Sequence, residues 1–133
     1  MILADTNVLL DVFGRDPVWA DWSRQQLNAA ATIGEIAIND TVYAELSAGY
    51  RRFEEVDALI GRAGIALVRT PRPALFLAGK VFQRYRAAGG ARTGVLPDFF
   101  IGAHAVVSES PLITRDVRRY RTYFPGLALI APD

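Results

Sequence analysis

The chain has 133 residues, 51% of them hydrophobic and 22% charged, with a formal net charge of +1 and no cysteine. One domain of this size can bury a core unaided, and the composition excludes a disulfide scaffold, a thiolate metal site and thiol redox chemistry. No apolar run approaches the roughly 20 residues that span a bilayer, and Met1 leads straight into an apolar segment with no basic leader, so a cytoplasmic protein with no membrane association is expected. Met1-Ile2-Leu3-Ala4 reads as a buried strand that stops at Asp5, and the spacing of Val8, Leu9, Val12 and Phe13 predicts a short helix behind it. Asp16-Pro17 reads as an N-cap and first helical residue, opening an amphipathic helix through Trp19, Trp22 and Leu27 to about Ala31. Glu35 to Ile38 is a second strand; Asn39-Asp40 caps the helix TVYAELSAGY, and a further helix runs from about Phe53 to Arg62. Ile65 to Val68 is a third strand. The longest helix follows Pro73, carries Leu75, Leu77, Val81, Phe82 and Tyr85, and ends at Ala88-Gly89-Gly90. GGARTGVLP is the one loop of any length. A helix from Pro97 to about Ser108, the strand Pro111 to Thr114, a short basic helix and the strand Leu127 to Ile130 complete the chain. With no repeat or linker, a single domain over residues 1–133 is expected.

Short, continuously apolar strands separated by helical segments indicate a parallel sheet covered on both faces. Open α/β sheets bind ligands beyond the carboxyl ends of their strands. Asp5 stands at that rim, although capping the next helix would by itself account for an acid there. The same grammar recurs in PLITRD, where Asp116 follows a second strand. Asp98, in the first turn of PDFFIGAHAV, and Glu45, one turn into TVYAELSAGY, can reach the same rim from helices. Four carboxylates in one cleft repel one another unless protons or cations neutralise them. An oxygen-only donor set suits Mg²⁺ or Mn²⁺ rather than Zn²⁺. With four acids gathered there, the remaining surface would carry 15 basic against 10 acidic groups, suited to a polyanion despite the near-zero total.

ADTNVLLDV, the YAEL helix, PDFFIGAHA and LITRDVRRYRTYFP resemble, in order, the four acidic signatures of PIN-domain ribonucleases, especially the VapC toxins of toxin–antitoxin pairs. The resemblance spans essentially the whole chain and rests on the ordered set, since each motif alone is weak. It implies a PIN-like three-layer α/β/α sandwich around a central, mainly parallel sheet of about five strands. It also implies an acidic tetrad of Asp5, Glu45, Asp98 and Asp116, with Asn7 and Thr114 as polar support. The activity implied is Mg²⁺-dependent endoribonuclease, silenced by a cognate VapB-type antitoxin, in a protein that forms homodimers.

Phosphodiester hydrolysis needs an activated water and charge compensation on the phosphoryl and leaving oxygens, which bound divalent metal supplies. Asp5, Asp98 and Asp116 are expected as metal ligands; Glu45 is expected to hold a second metal or orient the water. Arg92, Arg115, Arg118 and Arg119 are candidate RNA-binding residues, against the alternative of a solvated charged face. His104 falls on a different helical face from Asp98, which favours a structural role. Trp19 and Trp22 read as core, Asp11 as a helix-surface acid and Asp40 as an N-cap. Two rivals stand beside the nuclease. A phosphoaspartate phosphatase or receiver domain would need a positioned lysine, and Lys80 lies in mid-helix. A catalytically silent RNA- or partner-binding module on the same fold is distinguished only by activity.

Overall fold

The computed structural model describes all 133 residues. Five short strands alternate with seven helices: β1 (Ile2–Ala4), α1 (Thr6–Phe13), α2 (Ala20–Ala31), β2 (Ile36–Ile38), α3 (Asp40–Ser47), α4 (Phe53–Arg62), β3 (Ala66–Leu67), α5 (Arg72–Ala87), α6 (Leu96–Val107), β4 (Leu112–Ile113), α7 (Val117–Tyr123) and β5 (Leu129–Ile130). All strands are parallel, in the order β3-β2-β1-β4-β5. The register pairs Ile2 with Ile36 and Ala4 with Ile113, so the carboxyl ends of β1 and β4 lie side by side.

Central β1, β2 and β4 are buried along their length, as expected of strands covered on both faces, whereas edge strands β3 and β5 are part-exposed. The chain moves from β1 toward β3 in one direction and from β4 to β5 in the other. Right-handed crossovers therefore place α1–α4 on one face and α5–α7 on the other. In agreement, α1 packs on α2 and α3, α3 on α4, and α5 on α6. The reversal makes the rim between β1 and β4 a topological switch point, where a crevice opens in doubly wound sheets.

The strands are trimmed by a residue or two from their expected bounds. At Asp16 the difference is larger. Its carboxylate accepts the N–H groups of Val18 and Trp19, at 2.9 and 2.8 Å, so it caps a turn, and the regular helix starts only at Ala20. Asn39, not Asp40, is the N-cap of α3: its Oδ1 accepts Val42 N–H at 3.1 Å, and Asp40 is an exposed first-turn residue. No helix is long and apolar enough to cross a membrane.

Candidate active site

Asp5 is both the N-cap of α1 and a rim acid. Its side chain is 4% exposed and engaged on both oxygens. Oδ1 accepts Thr6 N–H at 2.8 Å; Oδ2 accepts the hydroxyls of Thr114 at 2.7 Å and Tyr120 at 3.1 Å, and the Asn7 amide at 3.3 Å. Burial pushes the Asp5 carboxyl up from 3.8 to about 6; the Thr114 hydroxyl opposes the rise and the charge of Asp98 adds to it. Asn7 also braces the two strand ends, its Oδ1 accepting Arg115 N–H at 3.2 Å. Thr114 Oγ1 accepts Asp116 N–H at 3.0 Å, tying the second rim acid to the same hydroxyl that holds the first.

The other acids arrive from separate elements. Asp98 lies in the first turn of α6, which carries Pro97 in that same turn, where the missing N–H costs nothing. Its carboxyl is also raised, first by burial, against the lowering effect of the Arg119 guanidinium bonded to it; Asp116 and Glu45 push it further up. Glu45 is exposed on α3, where its Oε1 accepts the Thr6 hydroxyl at 2.6 Å. The four acids thus share one electrostatic neighbourhood. As the side chains stand, no group of three His, Cys, Asp or Glu is gathered closely enough to enclose a metal ion.

A cleft of about 430 Å³ opens beside Asp116, and Arg92, Arg118 and Arg119 are among its walls, with Tyr85 and Tyr123. Arg92 is carried there by a loop laid flat on Tyr85. The Tyr85 hydroxyl accepts Arg92 N–H at 3.1 Å, and a Cβ at Gly90 would fall 2.4 Å from the Tyr85 ring, so only glycine permits that approach. A larger, mostly apolar cavity of about 600 Å³ lies at the opposite rim, by Pro111 and Ala128, and holds none of the four acids.

Arg115 takes a different course from the other arginines. Its Nε and Nη2 donate to the two carboxylate oxygens of Asp11, at 2.6 and 2.7 Å, while its guanidinium lies 5.0 Å from the centre of the Trp19 ring. Asp11 is therefore no helix-surface acid: it is 2% exposed and also accepts the Ser23 hydroxyl at 2.7 Å. Arg115, one of the expected RNA-binding arginines, thus has its guanidinium engaged in a part-buried clamp joining α1, α2 and the β4–α7 loop. Trp22 packs against the core, and Trp19 serves as the platform for Arg115.

The family follows from a comparison along the chain: the PIN domain matches residues 2–125. The chain belongs to the PIN domain family. Its fold is that of a chain from the Rickettsia felis VapBC2 complex bound to a promoter DNA fragment, at TM-score 0.77 and 22% identity, covering 100% of both chains. A DNA-bound VapBC from Salmonella typhimurium matches at TM-score 0.72 and 17% identity over 98% of each chain. A Klebsiella pneumoniae toxin–antitoxin complex matches at 0.68 and 22%, over 100% of this chain and 98% of that one. A search of curated proteins found no match.

In this PIN domain, several side chains at the acids carry no clear signal in the sequence. Tyr120 is 1% exposed and its hydroxyl is driven well above its ordinary pKa, chiefly by burial and then by the Asp5 charge, so it stays a donor to Asp5. Its only sequence signal is an aromatic within a run of arginines. Thr6 is visible only as a neighbour of Asp5. His104 is buried with Nδ1 3.2 Å from the Asn39 amide nitrogen. Because Asn39 Oδ1 is already an acceptor, the amide donates to a neutral imidazole, consistent with burial lowering that pKa. Its role is to brace the cap of α3, the helix that carries Glu45.

The donor chemistry of the PIN acids fits a hard divalent cation. All four donors are carboxylates, and burial together with mutual repulsion disfavours their charged forms at Asp5 and Asp98, a cost that an adjacent cation reverses.

Proposed function

We propose that this single PIN unit, residues 1–133, is a Mg²⁺-dependent endoribonuclease, with Mn²⁺ as a substitute, and the VapC-type toxin of a toxin–antitoxin pair. The carrying observation is that the four acids are electrostatically coupled beside the rim between β1 and β4: the charge of Asp98 raises Asp5, and those of Asp116 and Glu45 raise Asp98, while Thr114 ties Asp5 to Asp116. Asp5, Asp98 and Asp116 would hold the cation, and Glu45, kept in place by Thr6, would hold a second or orient the attacking water. Bound metal would supply a nucleophilic water and compensate charge on the phosphate. Thr114, Asn7 and Tyr120 all donate to Oδ2 of Asp5 and so orient its carboxylate. Arg92 and Arg118 face the cleft beside Asp116 and would grip RNA phosphates.

The named structural relatives are toxin–antitoxin and VapBC complexes, which supports a VapB-type antitoxin as partner. Most of the large apolar side chains on α1, α2 and α5 are covered: Leu9 is fully buried, and Phe13, Trp22, Phe82 and Tyr85 pack on the core. Leu10 and Val18 remain exposed by the first two helices, where an antitoxin helix would dock. Leu75 and Phe76 remain exposed on α5, where the homodimer would form.

The rival reading is a catalytically silent binding module on the same fold. Expression in bacterial cells separates the two. The toxin reading expects growth arrest by the wild type and tolerance of Asp5→Ala at equal protein levels; equal arrest by both would point to binding or aggregation instead.

A further inference from the structure

Among the four acids, Asp98 alone makes a salt bridge. Its partner is Arg119, which reaches across from α7 to Oδ2 of Asp98 on α6, with side chains only 29% and 21% exposed. The pair sits where the repulsion converges, since Glu45 and Asp116 both bear on Asp98 and Asp98 bears on Asp5. The same guanidinium also borders the cleft walled by Arg92 and Arg118. A planar guanidinium suits this position because it is weakly hydrated, always charged, and able to hold a carboxylate in a fixed plane while partly covered.

We propose that Arg119 is a resident counter-ion of the acid cluster, holding Asp98 in the metal-free protein and competing with a divalent cation for its carboxylate. The proposal rests on the metal-dependent nuclease reading and adds a regulation of that site. Two cations in contact with one carboxylate repel each other, so cation binding is opposed by whatever the Arg119 pair contributes. A guanidinium displaced from Asp98 already borders the cleft beside Asp116, where the backbone of a bound RNA would offer it a further anionic partner. Metal occupancy and RNA grip would then be linked through one side chain.

The test is equilibrium Mn²⁺ binding by calorimetry, without RNA, to the wild type, Arg119→Gln, Arg119→Lys and Arg121→Gln. Arg121 is exposed on the same helix, so its variant matches the change in net charge without touching the acids. Arg119→Gln is expected to bind Mn²⁺ about five-fold or more tightly than the wild type, the lower end of ordinary coupling between two sites. Arg121→Gln should bind like the wild type. Arg119→Lys, keeping charge but losing the fork, should fall between, and it serves in place of Arg119→Gln should the latter fail to fold. Equal or weaker binding by Arg119→Gln, as a purely structural pair would give, overturns the counter-ion and leaves the nuclease reading intact. Absence of saturable Mn²⁺ binding by every protein in the set overturns both.

Discussion

At the scale of single residues, Asp5 carries two burdens: it caps a helix and it is an acid with almost no access to water. Four donors favour its charged form, yet burial outweighs them and holds the carboxyl near 6. Between about pH 4 and 6 the folded state keeps a proton that the unfolded chain has lost, so stability falls as pH rises through that window and levels off above it. The shift corresponds to on the order of 3 kcal/mol. Urea unfolding of the metal-free protein from pH 4 to 7 should show the wild type losing stability relative to Asp5→Asn by a few kcal/mol; parallel curves would mean that Asp5 titrates as an ordinary carboxyl. An acid ending an apolar run is legible in sequence, and so are Asp98 and Asp116, because carboxylates at strand and helix ends stand out against their surroundings. Tyr120 and Thr6 are not legible, since their roles depend on where a hydroxyl points after the chain has folded.

At the scale of elements, apolar runs and spacing announced the strands and most of the helices, bounded by caps, prolines or glycines, whereas α7 was legible only as a short basic run. The start of α2 shifted because Asp16 offers its carboxylate to two N–H groups of a turn, which competes with a regular first turn. The Asp11–Arg115 clamp was hidden for another reason: its partners are 104 positions apart, and one of them sits in a basic run that reads as surface. Arg115→Ala strands the buried Asp11 charge, and we expect a loss of about 3 kcal/mol by urea unfolding, the low end for a broken buried pair because Arg115 is partly exposed. A loss under about 0.5 kcal/mol, typical of surface changes, would mean that the clamp contributes nothing. Helix α6 lies so close to Phe124 that a Cβ on Gly102 would stand 2.5 Å from its ring. Gly102→Ala should therefore cost about 1–3 kcal/mol despite the better helix propensity of alanine. Unchanged or increased stability would show that Phe124 yields freely.

At the scale of the whole molecule, strand order does what no single motif does: reversal of direction between β1 and β4 sets Asp5 beside Thr114 and Asp116. The parallel character of the sheet was legible from continuous apolar strands, whereas the order of the strands was not, because nothing local encodes it. Phe76 on α5 is exposed, with the Lys80 ammonium 5.2 Å from its ring centre, and lies on the face proposed for the dimer. In sedimentation across a concentration series the chain should dimerise, and Phe76→Asp should shift it to folded monomer; a wild type monomeric throughout would remove the dimer. Every role proposed for the four acids depends on metal-assisted cleavage, and the measurement that tests it most directly is digestion of total RNA by purified protein in Mg²⁺ or in excess chelator, alongside Asp98→Asn. Discrete cuts in Mg²⁺ that vanish in chelator and in the variant are the predicted result; cuts that persist in chelator, or at full rate in Asp98→Asn, would contradict it.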